Sequence, residues 1–160
     1  MAVIILVITR QQYDVRFSER KKLPEKLTEE KIELLKESNY PSYAIELYIN
    51  KVNVGVIENA NVIQTYTGPC GDTIKIYLKI NDQNIIEDAK FQYLGCPASA
   101  ACGSIVTQFV KGKTLEETEE ITEKKVLKKL GGLPDDECHC AALVIKTLRK
   151  AIKKYENDKN

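Results

Sequence analysis

The chain has 160 residues, 43% of them hydrophobic and 29% charged, which describes a water-soluble folded domain long enough to bury one core without staples. With 24 Lys+Arg against 23 Asp+Glu the formal net charge is +1, too even a balance to favour nucleic acid as a partner. The apolar run over residues 2–8 is far shorter than the roughly 20 residues of a spanning helix and lacks the features of a secretory signal. No membrane partner is therefore expected, and the expected location is the cytoplasm.

Residues 1–39 read as an N-terminal extension without cysteine or histidine. It comprises the apolar start, read as a buried strand in preference to a partner contact or a mere extension, a charged stretch over residues 16–22, and a short helix opened by Thr28 ahead of Glu29 and Glu30. The domain proper is expected over residues 40–157. Tyr40-Pro41 introduces a helix to about Lys51, because proline suits a first helical turn. A strand follows over residues 61–67. Ile74, Ile76, Leu78 and Ile80 then alternate with Thr73, Lys75, Tyr77 and Lys79, the two-residue repeat of a strand with one buried face. Asn81-Asp82-Gln83-Asn84 supplies a turn, and residues 85–94 return as a strand with Ala89, Phe91 and Tyr93 on one face.

After Gly95 the period becomes helical. Pro97 suits a first turn, and Ile105, Val106, Phe109 and Val110 form a buried stripe that stops near Gly112. Thr114 with Glu117 makes a capping box, and a helix over residues 122–130 ends at Gly131-Gly132. The last helix spans about 138–155, with Ile145, Leu148, Ile152 and Tyr155 on one face. Strands first and helices afterwards predict an α+β fold, a small antiparallel meander with helices packed on one side.

The chain has five cysteines, an odd number that would leave one thiol over from a full disulfide set. In a reducing compartment, clustered cysteines point to metal or sulfur chemistry. Cys70 lies in the turn Gly68-Pro69-Cys70-Gly71-Asp72, with a carboxylate two residues on. Cys96 precedes Pro97 at a helix start, where amide dipoles are expected to depress its pKa. His139, the chain's single histidine, stands between Cys138 and Cys140 at another helix start. Cys102 follows Ala100 and Ala101 inside a helix and reads as a packed side chain. Thiolates with imidazole or carboxylate suit zinc or iron–sulfur iron. The absence of any Cys-x-x-Cys pair disfavours zinc ribbons, thioredoxin-like sites and bacterial ferredoxin runs. Ligands spread over three loops form a site only in the folded domain.

With Asn53-Val54-Gly55, Ile85-Ile86-Glu87-Asp88-Ala89-Lys90-Phe91, Gly95-Cys96, Val110-Lys111-Gly112-Lys113 and Leu133-Pro134 ahead of His139-Cys140, these residues resemble the IscU/NifU N-terminal type of iron–sulfur cluster assembly scaffold over residues 40–155. The resemblance implies a compact α+β domain, not an enzyme. Such a domain binds iron, builds an iron–sulfur cluster, [2Fe–2S] by expectation, on sulfur from a cysteine desulfurase, and transfers it to apo iron–sulfur acceptor proteins. It implies Cys70, Cys96 and Cys140 as cluster ligands, Asp72 as fourth ligand or release group, His139 as alternative ligand, and Cys140 as persulfide acceptor. Zinc is an alternative occupant, and a homodimer is among the implied assemblies. Where the family commonly reads Leu-Pro-Pro-Val-Lys, the recognition site of a dedicated chaperone, this chain has Leu133-Pro134-Asp135-Asp136-Glu137, so that interaction is not carried over. Two rivals remain: a zinc-binding sulfur-transfer protein of the same fold, whose usual insertion between the second and third cysteines is lacking here, and an adaptor with structural zinc.

Overall fold

A computed structural model describes residues 26–159, with side chains from residue 29 onward. The apolar run over residues 2–8 and the charged stretch over 16–22 lie outside the described residues. Helix α1 spans Lys26–Glu37, so Thr28 falls inside it rather than at its cap. Asn39, in the left-handed region at φ 61, ends the connection, as Asn often does beyond a helix. Helix α2 (Ser42–Ile49) has Pro41 as its N-cap and buries Ala44, Ile45 and Leu47.

The strands β1 (Val62–Thr67), β2 (Thr73–Ile80) and β3 (Ile86–Leu94) form one antiparallel sheet in the order β1-β2-β3. On β2, Ile74, Ile76, Leu78 and Ile80 are all buried, so the alternation read in the sequence marks the core face. A register shift at Lys79/Ile80 pairs Lys79 with Asp88 and Ile80 with Ile86. The extra residue is a bulge, and it explains why Ile86 and Ala89 are both buried although their spacing is odd. The outer edge of β3 is covered at its middle: Phe91 N–H donates to the Asn53 carbonyl, and Gly55 N–H donates to that of Phe91.

Helix α3 (Pro97–Val110) packs on β3, and α5 (His139–Lys159) lies along β1 and β2. A side chain at Gly103 would run into the Phe91 ring, so glycine there lets α3 sit close to the sheet. On α5 the buried stripe includes Val144, Thr147, Leu148, Ala151 and Ile152, while Ile145 is only half-buried. The Thr114–Glu117 capping box forms reciprocally and opens a short 3-10 helix. Arg149 donates to the carbonyls of Thr118, Glu119 and Ile121 at its end, tying this connection to α5. Helix α4 (Glu123–Leu130) is capped by Thr122 and stops at Gly131, whose φ of 84 is left-handed. All helices serving the core sit on one side of the sheet, as an antiparallel sheet with a single apolar face requires.

Candidate functional site

Three local rules bring the sulfur chemistry to one corner. First, the β1–β2 connection closes tightly: Gly68 N–H donates to the Asp72 carbonyl and Gly71 N–H to that of Gly68. Gly71 has φ +89, a conformation that L side chains rarely adopt. This turn sends the Asp72 side chain toward the start of α3. There Asp72 Oδ2 accepts from Cys96 N–H at 3.2 Å and from the Ser99 hydroxyl at 2.6 Å. A Cβ at Gly95 would collide with that carboxylate, so glycine makes the approach feasible. Burial would raise the Asp72 pKa, but the hydrogen bonds from Ser99 and Cys96 outweigh it and hold the carboxyl below its ordinary value.

Second, Cys96 is itself the N-cap of α3, its sulfur accepting from Ser99 N–H at 3.4 Å. Third, the 3-10 turn Asp135–Glu137 delivers Cys140 in the first turn of α5. The Cys96 and Cys140 sulfurs stand 3.4 Å apart. Cys140 is fully buried at 0% exposure, Cys96 is half-buried, and His139 beside them is exposed, its Nε2 3.7 Å from the Cys140 sulfur.

The expected depression of the Cys96 pKa is corrected. The hydrogen bond to Cys140 and then burial push its thiol well up, outweighing the contacts from Ser99. A neighbouring sulfur and a dry corner thus override the helix dipole. A cation that enters beside Cys96 must displace its proton.

The structure brings together Asp72, Cys96 and Cys140, whose ligand atoms all lie within 4.8 Å of one another, and likewise Glu137, His139 and Cys140. Cys70 belongs to neither group. It is exposed on the turn, its sulfur near Gly68 and on the side that faces Leu143 of α5. Cys102 is buried in α3, and burial pushes its thiol up. Cys138 points to the carbonyls of Leu133 and Pro134 at 3.7 and 3.6 Å.

Three residues at the corner escaped the sequence reading. Glu137 Oε2 lies 3.1 Å from the Cys96 sulfur and 3.7 Å from that of Cys140. Ser99 binds Asp72, and its position three residues after the N-cap could have flagged it. Tyr40 abuts the site, its phenol pushed up by burial and then by the Glu137 charge.

The chain matches the family model described as the NifU-like N terminal domain over residues 39–160. It is 44% identical over 117 residues to the iron-sulfur cluster assembly scaffold protein IscU 1 of Archaeoglobus fulgidus, covering 72% of this chain and 76% of that one. To the scaffold protein IscU of Escherichia coli (strain K12) it is 38% identical over 122 residues, covering 74% and 94%. The crystal structure of a nitrogen-fixing NifU-like protein (N-terminal) from Brucella abortus superposes with a TM-score of 0.60 at 19% identity, over 77% of this chain and 98% of that one, a likeness of fold.

Proposed function

Because the chain belongs to the NifU-like N-terminal domain family and is an iron–sulfur cluster assembly scaffold, we propose that its cluster, a [2Fe–2S] unit, is built on Cys70, Asp72, Cys96 and Cys140, with His139 as alternative ligand. Its relatives are named as scaffold proteins rather than enzymes. The observation that carries the ligand assignment is the Cys96–Cys140 pair at 3.4 Å. A tetrahedral ion with metal–sulfur bonds of about 2.3 Å sets two thiolates about 3.8 Å apart, so a small opening of the pair admits iron. Cys70 joins from its exposed turn, and a movement of that turn over the corner supplies the third thiolate.

Sulfur arrives from a cysteine desulfurase. The Cys140 thiolate attacks the outer sulfur of the desulfurase persulfide, the sulfur–sulfur bond breaks, and the desulfurase cysteine leaves as thiolate. Cys140 is buried, so this transfer requires the corner to open toward the donor. Electrons from a partner protein then reduce the sulfane sulfur to sulfide beside the iron. Asp72 is a harder ligand than thiolate and cedes its position to an incoming cysteine of the apo-protein. The scaffold proper occupies residues 40–157 and works in the cytoplasm, with residues 1–39 as an extension that the site does not need.

The test is anaerobic reconstitution with iron and sulfide, followed by visible and Mössbauer spectra and by handover to an apo-ferredoxin. Thiolate-to-iron bands and a cluster that moves to the ferredoxin are expected. A colourless protein that keeps one tight zinc and ignores the desulfurase would favour the zinc readings and overturn this one. Mass spectrometry after brief exposure to desulfurase and cysteine should find the added sulfur on Cys140. Its appearance chiefly on Cys96 or Cys138 refutes the acceptor assignment.

A further inference from the structure

The two carboxylates at the corner are used differently. Asp72 Oδ2 already accepts from Cys96 N–H and the Ser99 hydroxyl, so it acts first as an anchor for the start of α3. Glu137 Oε2 faces the sulfurs themselves, 3.1 Å from Cys96 and 3.7 Å from Cys140, and those thiols are its donors. In a tetrahedral site with metal–oxygen bonds of about 2.1 Å and metal–sulfur bonds of about 2.3 Å, oxygen and sulfur ligands stand about 3.6 Å apart. The two observed distances bracket that value, and the sulfur–sulfur separation of 3.4 Å is close to the one such an ion requires. His139 Nε2, 3.7 Å from the Cys140 sulfur, also lies within 4.8 Å of the Glu137 carboxylate, on the exposed side.

We infer that Glu137 is a metal ligand: with the thiolates of Cys96 and Cys140 it forms a mononuclear divalent-cation site that holds iron before sulfur arrives, His139 or Asp72 completing four-coordination. As the cation enters, both thiol protons leave to solvent, and three negative donors face a double positive charge. An oxygen ligand is the weakest held of the three, so it is the one displaced when sulfide bridges the iron. The Pro134 carbonyl accepts from Glu137 N–H at 2.8 Å, fixing the turn that carries the carboxylate.

This inference rests on the scaffold reading, yet its test can fail alone. The full-length apo-protein is titrated anaerobically with cobalt(II), read by its ligand-field and thiolate-to-metal bands, and then with zinc(II) in competition. Glu137→Gln should weaken zinc binding by about tenfold or more and shift the cobalt bands, with an unchanged apo-protein melting temperature. Asp72→Asn should weaken it less. Wild-type zinc affinity and cobalt bands in Glu137→Gln overturn the assignment, even if cluster building and handover proceed. Conversely, a wild-type protein that holds zinc through Glu137 but builds no cluster overturns the scaffold reading and leaves Glu137 as ligand.

Discussion

Phe91, in the middle of β3, is wholly buried between the sheet and α3, whereas Cys96, just past the end of the same strand, is half-buried and touches Cys140, Glu137 and Ser99. The first belongs to an apolar slab in which Ile74, Ile76, Leu78, Ile105, Val106 and Leu148 share the burial, each with little exposed surface. The second belongs to a corner where single side chains meet one another, each from a different element. A slab is specified by periodicity, and neighbours compensate for small changes in volume. A corner made from the ends of β1–β2, β3–α3 and the Asp135–Glu137 turn is specified by single residues. Stability and chemistry can therefore be damaged separately.

The largest expected effect lies in the slab. Phe91→Ala removes a fully buried ring and should cost about 3–5 kcal/mol in the apo-protein, measured by denaturant unfolding. A cost under about 1 kcal/mol would mean that the slab is not the source of stability.

Next is the junction of the two regions. Gly95→Ala drives a Cβ into the Asp72 carboxylate and should cost about 1–3 kcal/mol. Asp72→Ala, which removes the acceptor for Cys96 N–H and the Ser99 hydroxyl, should cost about 1 kcal/mol. Combined, they should cost less than their sum, because the alanine at 95 then has no carboxylate to displace. Strict additivity would show that the two do not meet. Asp72→Ala should also slow cluster handover to apo-ferredoxin. An unchanged handover rate would limit Asp72 to its structural contacts.

The pH dependence follows in size. The Lys111 ion pair at 2.8 Å, against a smaller opposing effect of burial, holds the Asp88 carboxyl below its ordinary value, and Asp72 is likewise depressed. Groups depressed in the fold stabilise it above their unfolded pKa of about 3.9 and lose that contribution as pH falls through the folded values. The melting temperature of the apo-protein should thus drop below about pH 4, and Asp88→Asn should flatten that limb. Cys96 has the opposite sign: its raised thiol pKa favours the fold below about pH 8.5, with the contribution lost as pH rises toward the folded value. Zinc affinity should nevertheless climb with pH, about tenfold per unit for each proton displaced. Affinity that is flat from about pH 6 to 8 would mean that the thiols are not the ligands.

The smallest effect should come from deleting residues 1–39, which supply neither thiol nor imidazole to the corner. Cluster content of the shortened chain should match that of the full one, and a folded but unreconstitutable product would contradict this.

The slab was legible because its signals are periodic. The alternation on β2, most of the stripes of α3 and α5, in which only Phe109 and Ile145 are half-buried, and the capping box at Thr114 come from repeating geometry or local hydrogen bonds. The bulge that turns both Ile86 and Ala89 inward was not, since a one-residue slip in pairing leaves no local signature. At the corner the residue types were readable and their encounters were not. Asp72 reads in the sequence as a fourth ligand or release group, whereas its partners Cys96 and Ser99 belong to the cap and first turn of a helix far along the chain. Glu137 was visible only as a departure from the family pattern, because nothing in a run of three acids tells which one turns inward. The helix start at Cys96 suggested a lowered pKa, and only the fold reveals the second sulfur that raises it.

The separation of slab and corner is tested most directly by three cysteines: Cys96 at the cap of α3, Cys102 inside that helix and Cys140 in the first turn of α5. Cys96→Ser, Cys140→Ser and Cys102→Ser proteins are reconstituted anaerobically with iron and sulfide, and cluster content by Mössbauer spectroscopy is set beside the melting temperature of each apo-protein. Cys96→Ser and Cys140→Ser should lose most of the cluster. Cys102→Ser should keep it while losing about 1–2 kcal/mol, the cost of a hydroxyl in an apolar site. Equal cluster content in all three would contradict the account.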